Sequence, residues 1–236
     1  MRGPHRAIGL TAVVAVSILF SAVPAGAGQT RRDVQGFPYR RPAPPPRDLV
    51  GVRLFVLSDR TDMTASRTFD AVIGTSEFVS RGGGGEVIRV WKGLFARVAA
   101  TTLKESGSRV VVFGNDAIPL GIPLSLEMQQ VEMAAGWRFN DHDRSRIVAY
   151  AGGGLLRLRY KESSEFADPA DTNDERFNGS AVFGGIDVSI WKWFMVGAEA
   201  QYRAVPDAIG TGGVSKAFSE TDLGGLTVRV LAGIRR

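Results

Sequence analysis

The sequence has 236 residues, of which 44% are hydrophobic, and a formal net charge of +5. This length fits one domain with short appendages. Cysteine is absent, which excludes disulfide frameworks, cysteine nucleophiles and zinc sites built on thiolates.

Residues 1–27 have the pattern of a secretory signal peptide. Arg2 and Arg6 give a basic start, residues 7–23 form an apolar core, and Ala25 and Ala27 are the small residues that a signal peptidase needs. Without this segment the formal charge is +3, and export argues against a nucleic-acid partner. We therefore expect an exported protein whose mature chain starts at Gly28.

Residues 28–48 are rich in proline and arginine. Such a composition cannot build a core or a strand ladder, so it predicts an extended or disordered linker. The linker is either a plain spacer or a basic arm that contacts the cell wall or lipid headgroups.

The rest of the chain, 49–236, is predicted to be one all-β domain. Apolar and other residues alternate with a period of two, which is typical of β-strands because successive side chains point to opposite faces. The second strand is predicted to be interrupted by glycines 82–85. We count eight strands, at 50–58, within 78–90, from 94 to 103 or beyond, at 126–139, at 147–160, two in the hairpin 177–205, and at 226–234.

The hairpin 177–205 shows the clearest alternation. One face of each strand is apolar to its ends, and the other face carries Asp187, Glu199, Gln201 and Arg203. This two-residue alternation is expected when one face of the strand contacts lipid and the other faces a polar lumen. On the fifth strand the same reasoning assigns Arg157 and Arg159 to the lumen. The opposite face of that strand is assigned to lipid and carries Val148, Tyr150, Leu156 and Leu158.

The predicted connections alternate in length. Those after the second, fourth and sixth strands are short, and the others span 61–76, 115–125, 162–175 and 206–225. Short turns at one end and long loops at the other are typical of outer-membrane barrels. An even number of strands places both chain ends at the short-turn, periplasmic end.

All four tryptophans lie in or near the predicted short turns. Tryptophan prefers the headgroup level of a membrane, so this clustering indicates an aromatic girdle at one rim. The residues are Trp91, Trp137, Trp191 and Trp193.

Together these features resemble the outer-membrane β-barrel domain proteins of Gram-negative bacteria, in particular the small eight-stranded kind. The resemblance covers 50–236 and includes the loop that begins at Gly210 and the entry to the last strand, from Glu220 to Gly225. It implies an eight-stranded antiparallel up-and-down transmembrane barrel in the outer membrane, in contact with its lipid and with the barrel assembly machinery. Members commonly end on an aromatic residue, whereas this chain ends in Arg235 and Arg236.

The lumen of such a barrel is just filled by side chains, which disfavours a wide pore. Six inward charges of both signs are expected at similar depth, with Glu132 somewhat above the others and Glu199 facing Arg229 on the adjacent strand. They form either a structural plug of ion pairs or a narrow charge-gated channel. The predicted lumen network is Arg53, Arg97, Glu132, Asp187, Glu199 and Arg229.

An enzymatic function is not expected. A hydrolase needs a nucleophile with a general base, and the sequence offers only His5, within the signal, and His142, in a predicted turn. We predict no catalytic, cofactor or metal site, and favour a structural anchor or a binding or adhesion surface formed by the long loops. The alternative is a soluble periplasmic barrel whose apolar faces point inward to hold a ligand.

Overall fold

The structure is a computed structural model that describes residues 50–114, 116–139, 141, 145–164, 173–211 and 213–235. The predicted signal peptide and proline-rich linker lie outside these residues, as does His142. Within the described ranges the chain forms eight strands and two short helices.

The eight strands close into one antiparallel barrel in which each strand pairs with its sequence neighbours and β1 pairs with β8. The predicted up-and-down barrel is therefore confirmed. The strands are β1 (Gly51–Met63), β2 (Glu77–Trp91), β3 (Leu94–Phe113), β4 (Asp116–Phe139), β5 (Ile147–Ser164), β6 (Asn173–Ser189), β7 (Phe194–Ala204) and β8 (Gly225–Arg235).

The barrel has two unlike ends. The short-turn end carries the connections that follow β2, β4 and β6, together with the start of β1 and the end of β8. The long-loop end carries α1 (Ser66–Val72) and α2 (Gly213–Phe218). Among the described residues, neither helix has the length and apolar character needed to cross a membrane.

One predicted long loop is wrong. Residues 115–125 were expected to connect the third and fourth strands, but β3 runs on to Phe113 and β4 begins at Asp116. The pairing of Val111 with Ile118 continues the ladder almost to the turn, where Gly114 has a φ of 63°. The two strands thus extend beyond the barrel wall as a hairpin.

The predicted interruption of the second strand is also wrong. The glycines 82–85 lie within β2 and pair with β1 and β3 in unbroken register. A Cβ on Gly84 would come within 2.8 Å of the Phe55 ring, and Gly152 leaves equivalent space for Phe183. Gly84 and Gly152 therefore make room for aromatic rings inside the barrel, as glycines beside aromatic residues do in curved sheets.

Candidate functional site

The outside of the short-turn half of the barrel is an apolar band. On β4 and β5 the outward residues are apolar or small over nine positions, from Val131 to Phe139 and from Ile147 to Leu155. The same holds on β6 from Val182 through Ile190, the residue that directly follows the strand. Many of these side chains are about half exposed or more, for example Leu155 at 67% and Val182 at 63%. A transmembrane β-strand needs about 9–11 residues, so the band has the height of a membrane crossing.

The four tryptophans lie at the short-turn edge of this band. Trp91 and Trp137 pack edge to face with ring centroids 6.1 Å apart, and Trp191 stacks on Trp193 at 5.6 Å. Three of the four are exposed, and Trp137 is half-buried. Their arrangement is that of rings at a membrane interface.

The outward side chains become charged above the band, toward the long-loop end. Arg60 pairs with Glu77 on the β1–β2 wall, and Arg159 pairs with Asp174 on the β5–β6 wall, both at exposed positions. The predicted orientation of β5 is therefore wrong: Arg157 and Arg159 point outward, whereas Val148, Tyr150, Leu156 and Leu158 are buried inside. Arg157 and Arg159 lie above the apolar band, where an outward arginine is compatible with water and the inward positions can be apolar.

The interior differs between the two halves in the same way. In the long-loop half, buried Phe69, Phe78, Leu126, Leu158 and Val205 belong to one apolar cluster. In the short-turn half, aromatic rings share the interior with twelve buried charged residues. The charged residues form two groups, each held together by its own ion pairs.

The first group, which we name the turn cluster, lies nearest the short turns. Arg53 contacts Glu86 and Asp187, each at 2.6 Å, and Arg138 contacts the same two carboxylates at 3.2 and 2.7 Å. Arg138 and Arg89 also bind Asp141, at 2.8 and 3.0 Å. The turn cluster is Arg53, Arg89, Arg138, Glu86, Asp141 and Asp187.

The second group, the central cluster, holds the other four residues of the predicted network. Arg97 contacts Glu199 at 2.6 Å and Glu132 at 3.1 Å, and Arg229 contacts the same two residues at 3.2 Å each. Arg229 also binds Asp59 at 2.8 Å, and Asp59 pairs with Arg203. The central cluster is Arg97, Arg203, Arg229, Asp59, Glu132 and Glu199.

The structure brings all six predicted lumen residues inside the barrel, but at two levels instead of one. Arg53 and Asp187 belong to the turn cluster. Strand tilt and stagger place residues at different heights in the barrel even when they lie equally many residues from the short turns. Glu199 and Arg229, the pair expected first, are direct cross-strand partners.

Alternation on their strands also predicted that Arg138 and Arg203 point inward, and the other four members of the clusters were not predicted from the sequence. Asp59 lies one residue past the predicted end of the first strand, although the alternation from Arg53 through Leu57 continues to it. Glu86 and Arg89 lie in the strand that the glycines were expected to interrupt, and Arg89 has a φ of 57° at an irregular point of the ladder. Asp141 lies in a turn, where alternation gives no signal.

Each cluster is electrically balanced, with three arginines and three carboxylates, and all twelve residues are at most 8% exposed. Buried charges need such pairing because an isolated one is strongly destabilising. The space beside Arg53 and Asp187 has no volume for a water molecule. Above the central cluster a cavity of about 40 Å³, roughly one water, separates it from the apolar interior.

This arrangement is the reverse of what a soluble ligand-binding barrel requires. That alternative needs Arg97, Glu199 and Arg229 to face water and the apolar faces to point inward. In the short-turn half the three charged side chains are fully enclosed, and the apolar faces point outward.

Asp141 is the cluster member outside the strands. Burial opposes ionisation of its carboxyl, but Arg138 and Arg89 outweigh that effect and hold its pKa below the ordinary value of 3.8. Asp141 is therefore ionised at neutral pH and joins the β4–β5 turn to the lumen.

The described residues include no histidine and no group of three or more potential metal ligands.

Similarity to known proteins is found among solved structures. No family model matches the chain, and no curated protein matches its sequence. Among solved structures, Neisserial surface protein A is 12% identical, with a TM-score of 0.48, 79% of this chain and 95% of that chain covered.

Two further solved structures have similar values. Ail of Yersinia pestis, in complex with a heparin analogue, is 11% identical, with a TM-score of 0.47 and 79% and 97% of the chains covered. The N-terminal barrel domain of Pseudomonas aeruginosa OprF is 9% identical, with a TM-score of 0.44 and the same coverage. At these values they indicate nothing about what this chain binds.

Proposed function

We propose that this chain is a non-enzymatic outer-membrane barrel that presents its long-loop end as a binding or adhesion surface. The observation that carries the proposal is the contrast across one wall: an apolar band with a tryptophan rim outside, and balanced, buried ion pairs inside. Lipid around the barrel covers the apolar band. Ion pairs on the inside act as a plug and leave the loops as the surface that is free to bind.

The tryptophan rim and the short turns support a periplasmic position for the short-turn end. Both ends of the barrel domain are then periplasmic, and the proline-rich linker extends into the periplasm, where its arginines can contact the cell wall. The long-loop end, with α1, α2 and the β3–β4 hairpin, faces the outside of the cell. Insertion by the barrel assembly machinery is part of the same proposal.

The absence of an enzymatic role is supported by the character of the interior. Within each of the two clusters the arginines form ion pairs with the carboxylates. Beside Arg53 and Asp187 there is no space for a substrate. A catalytic site needs a nucleophile and a base within reach of a substrate.

Three measurements on the full-length protein test this function, the first on cell membranes and the other two on purified protein. We expect it to remain with membranes after a carbonate wash and to change its gel mobility on boiling. In planar bilayers we expect no steady conductance, because the clusters fill the lumen. Recovery as a detergent-free soluble monomer would contradict the membrane location, and a steady conductance would favour the narrow channel instead.

A further inference from the structure

The long-loop end contains a cavity of about 450 Å³ that the plugged lumen does not explain. It is bounded by α1, the extended β3–β4 hairpin, the ends of β5 and β6, and the segment around α2. Ligand pockets typically measure about 300–1,000 Å³. An apolar cavity of about 150 Å³ already accepts benzene.

About half of the lining of this cavity is apolar. Phe69, Leu126 and Ala208 are buried contributors that belong to the apolar cluster of the long-loop half. The other apolar contributors are Val72, Ile73, Val110, Leu120, Leu124, Ile209 and Val214. Protein interiors seldom leave such volumes unfilled, and the neighbouring side chains of Phe78 and Leu126 are close to fully buried.

The walls of the cavity are tied together by specific contacts. The carboxylate of Glu220 accepts hydrogen bonds from the backbone N–H and the hydroxyl of Thr68, at 2.8 and 2.6 Å, which joins α1 to the segment after α2. The guanidinium of Arg67 lies 4.3 Å from the ring centroid of Phe218 on α2. The cavity is therefore largely preformed, as ligand sites usually are.

The charged side chains in the lining select among apolar ligands. Glu162 and Glu175 contribute two carboxylates, and Arg109 contributes one guanidinium. Glu162 accepts a hydrogen bond from the Tyr160 hydroxyl at 3.0 Å, which holds it beside the apolar surface. The excess of carboxylates favours a cationic group and disfavours an anionic one.

We propose that this cavity binds a small amphiphile with an apolar body and an amine headgroup. The inference rests on the proposed function, since it names a ligand class for the long-loop end. The apolar body lies between α1 and the β3–β4 hairpin, and the ammonium group lies near Glu162 and Glu175.

The test uses the full chain in lipid nanodiscs and a fluorinated decylamine observed by ¹⁹F NMR, with empty nanodiscs to measure partition into lipid. We expect saturable binding to the parent. Val72→Trp fills the cavity and should weaken binding by about tenfold or more, equivalent to about 1.4 kcal/mol. Val79→Trp is the matched control, because Val79 is exposed on the outer wall and should leave binding unchanged.

Two additions keep the result decisive. Val214→Trp fills the same cavity from α2 and replaces the first variant if that variant does not fold. Decanoate should bind more weakly than decylamine, and Glu162→Gln with Glu175→Gln should reduce that difference.

Equal binding of decylamine to the parent, to both cavity-filling variants and to empty nanodiscs would overturn the inference, and so would equal binding of decanoate. If the nanodisc protein still changes gel mobility on boiling, such a result contradicts the ligand site alone. If it does not, the membrane barrel itself is contradicted.

Discussion

The short-turn half and the long-loop half of the barrel share the same strands but bury opposite kinds of side chain. In the short-turn half Arg97 and Arg229 are inside and Leu155 and Val182 are outside. In the long-loop half Leu126 and Leu158 are inside and Arg157 is outside. With the proposed position in the membrane, the difference teaches that the medium around the wall decides which side chains the interior holds. Where water surrounds the wall, folding must bury apolar surface as a soluble protein does; where an apolar medium surrounds it, the interior can be polar if every charge is paired.

The largest effect is expected from breaking the central cluster. Glu199→Ala leaves Arg97 and Arg229 each without one carboxylate in a site where both are fully buried, which should cost about 3–5 kcal/mol of unfolding free energy. The double variant with Arg229→Ala should recover part of that loss. The measurement is a double-mutant cycle of urea unfolding in lipid vesicles.

The control for this cycle is Arg159→Ala in the long-loop half. Arg159 pairs with Asp174 on the exposed outer wall, and exposed ion pairs contribute little to stability. Additive losses in the cycle, or an equally large loss for Arg159→Ala, would show that the two halves do not differ as described.

The next effect compares one substitution at two heights on β6. Ile186 lies at the middle of the apolar band, so Ile186→Arg should cost about 2–4 kcal/mol in vesicles. Asn178 points outward on the same strand but lies above the band, so Asn178→Arg should change stability little. Equal losses of stability at the two positions would contradict the height assigned to the membrane on β6.

The smallest effect concerns Asp141 and acid. Its pKa is lower in the folded protein than its ordinary value of 3.8, so its ionised form stabilises the fold above that pH, and this contribution is lost as the pH falls through the folded-state pKa. Asp141→Asn should therefore be less stable than the parent at neutral pH, and the gap should narrow below pH 3.8. Urea unfolding of both proteins between pH 7 and pH 3 measures the gap, and a constant gap would contradict the ion pairs of the turn cluster.

Alternation was enough to predict the strand count, the short turns and most of the lumen charges. The tryptophan rim was predicted from the position of the tryptophans in or near those turns. Alternation identifies two faces but does not say which is inside, and that choice was made from the assumption that charges face the lumen. The assumption holds for Glu132 and Glu199 and fails for Arg157 and Arg159, because those arginines lie above the band.

The remaining differences also have local causes. Residues 115–125 were predicted to be a long polar loop, whereas the pairing between β3 and β4 continues as far as Phe113 with Asp116. The cavity at the long-loop end could not be predicted, since it depends on how α1 and α2 pack across connections that carry no periodic pattern.

The most direct test of the reversal between the two halves is a cysteine scan along β5, which is possible because the chain has no cysteine of its own. Single cysteines at Leu155, Leu156, Arg157 and Leu158 would carry a spin label in vesicles. Collision with oxygen, which concentrates in lipid, is compared with collision with a water-soluble nickel complex. We predict that position 155 is accessible from lipid, 157 from water, and 156 and 158 from neither. Lipid access at 156 and 158 would contradict the account.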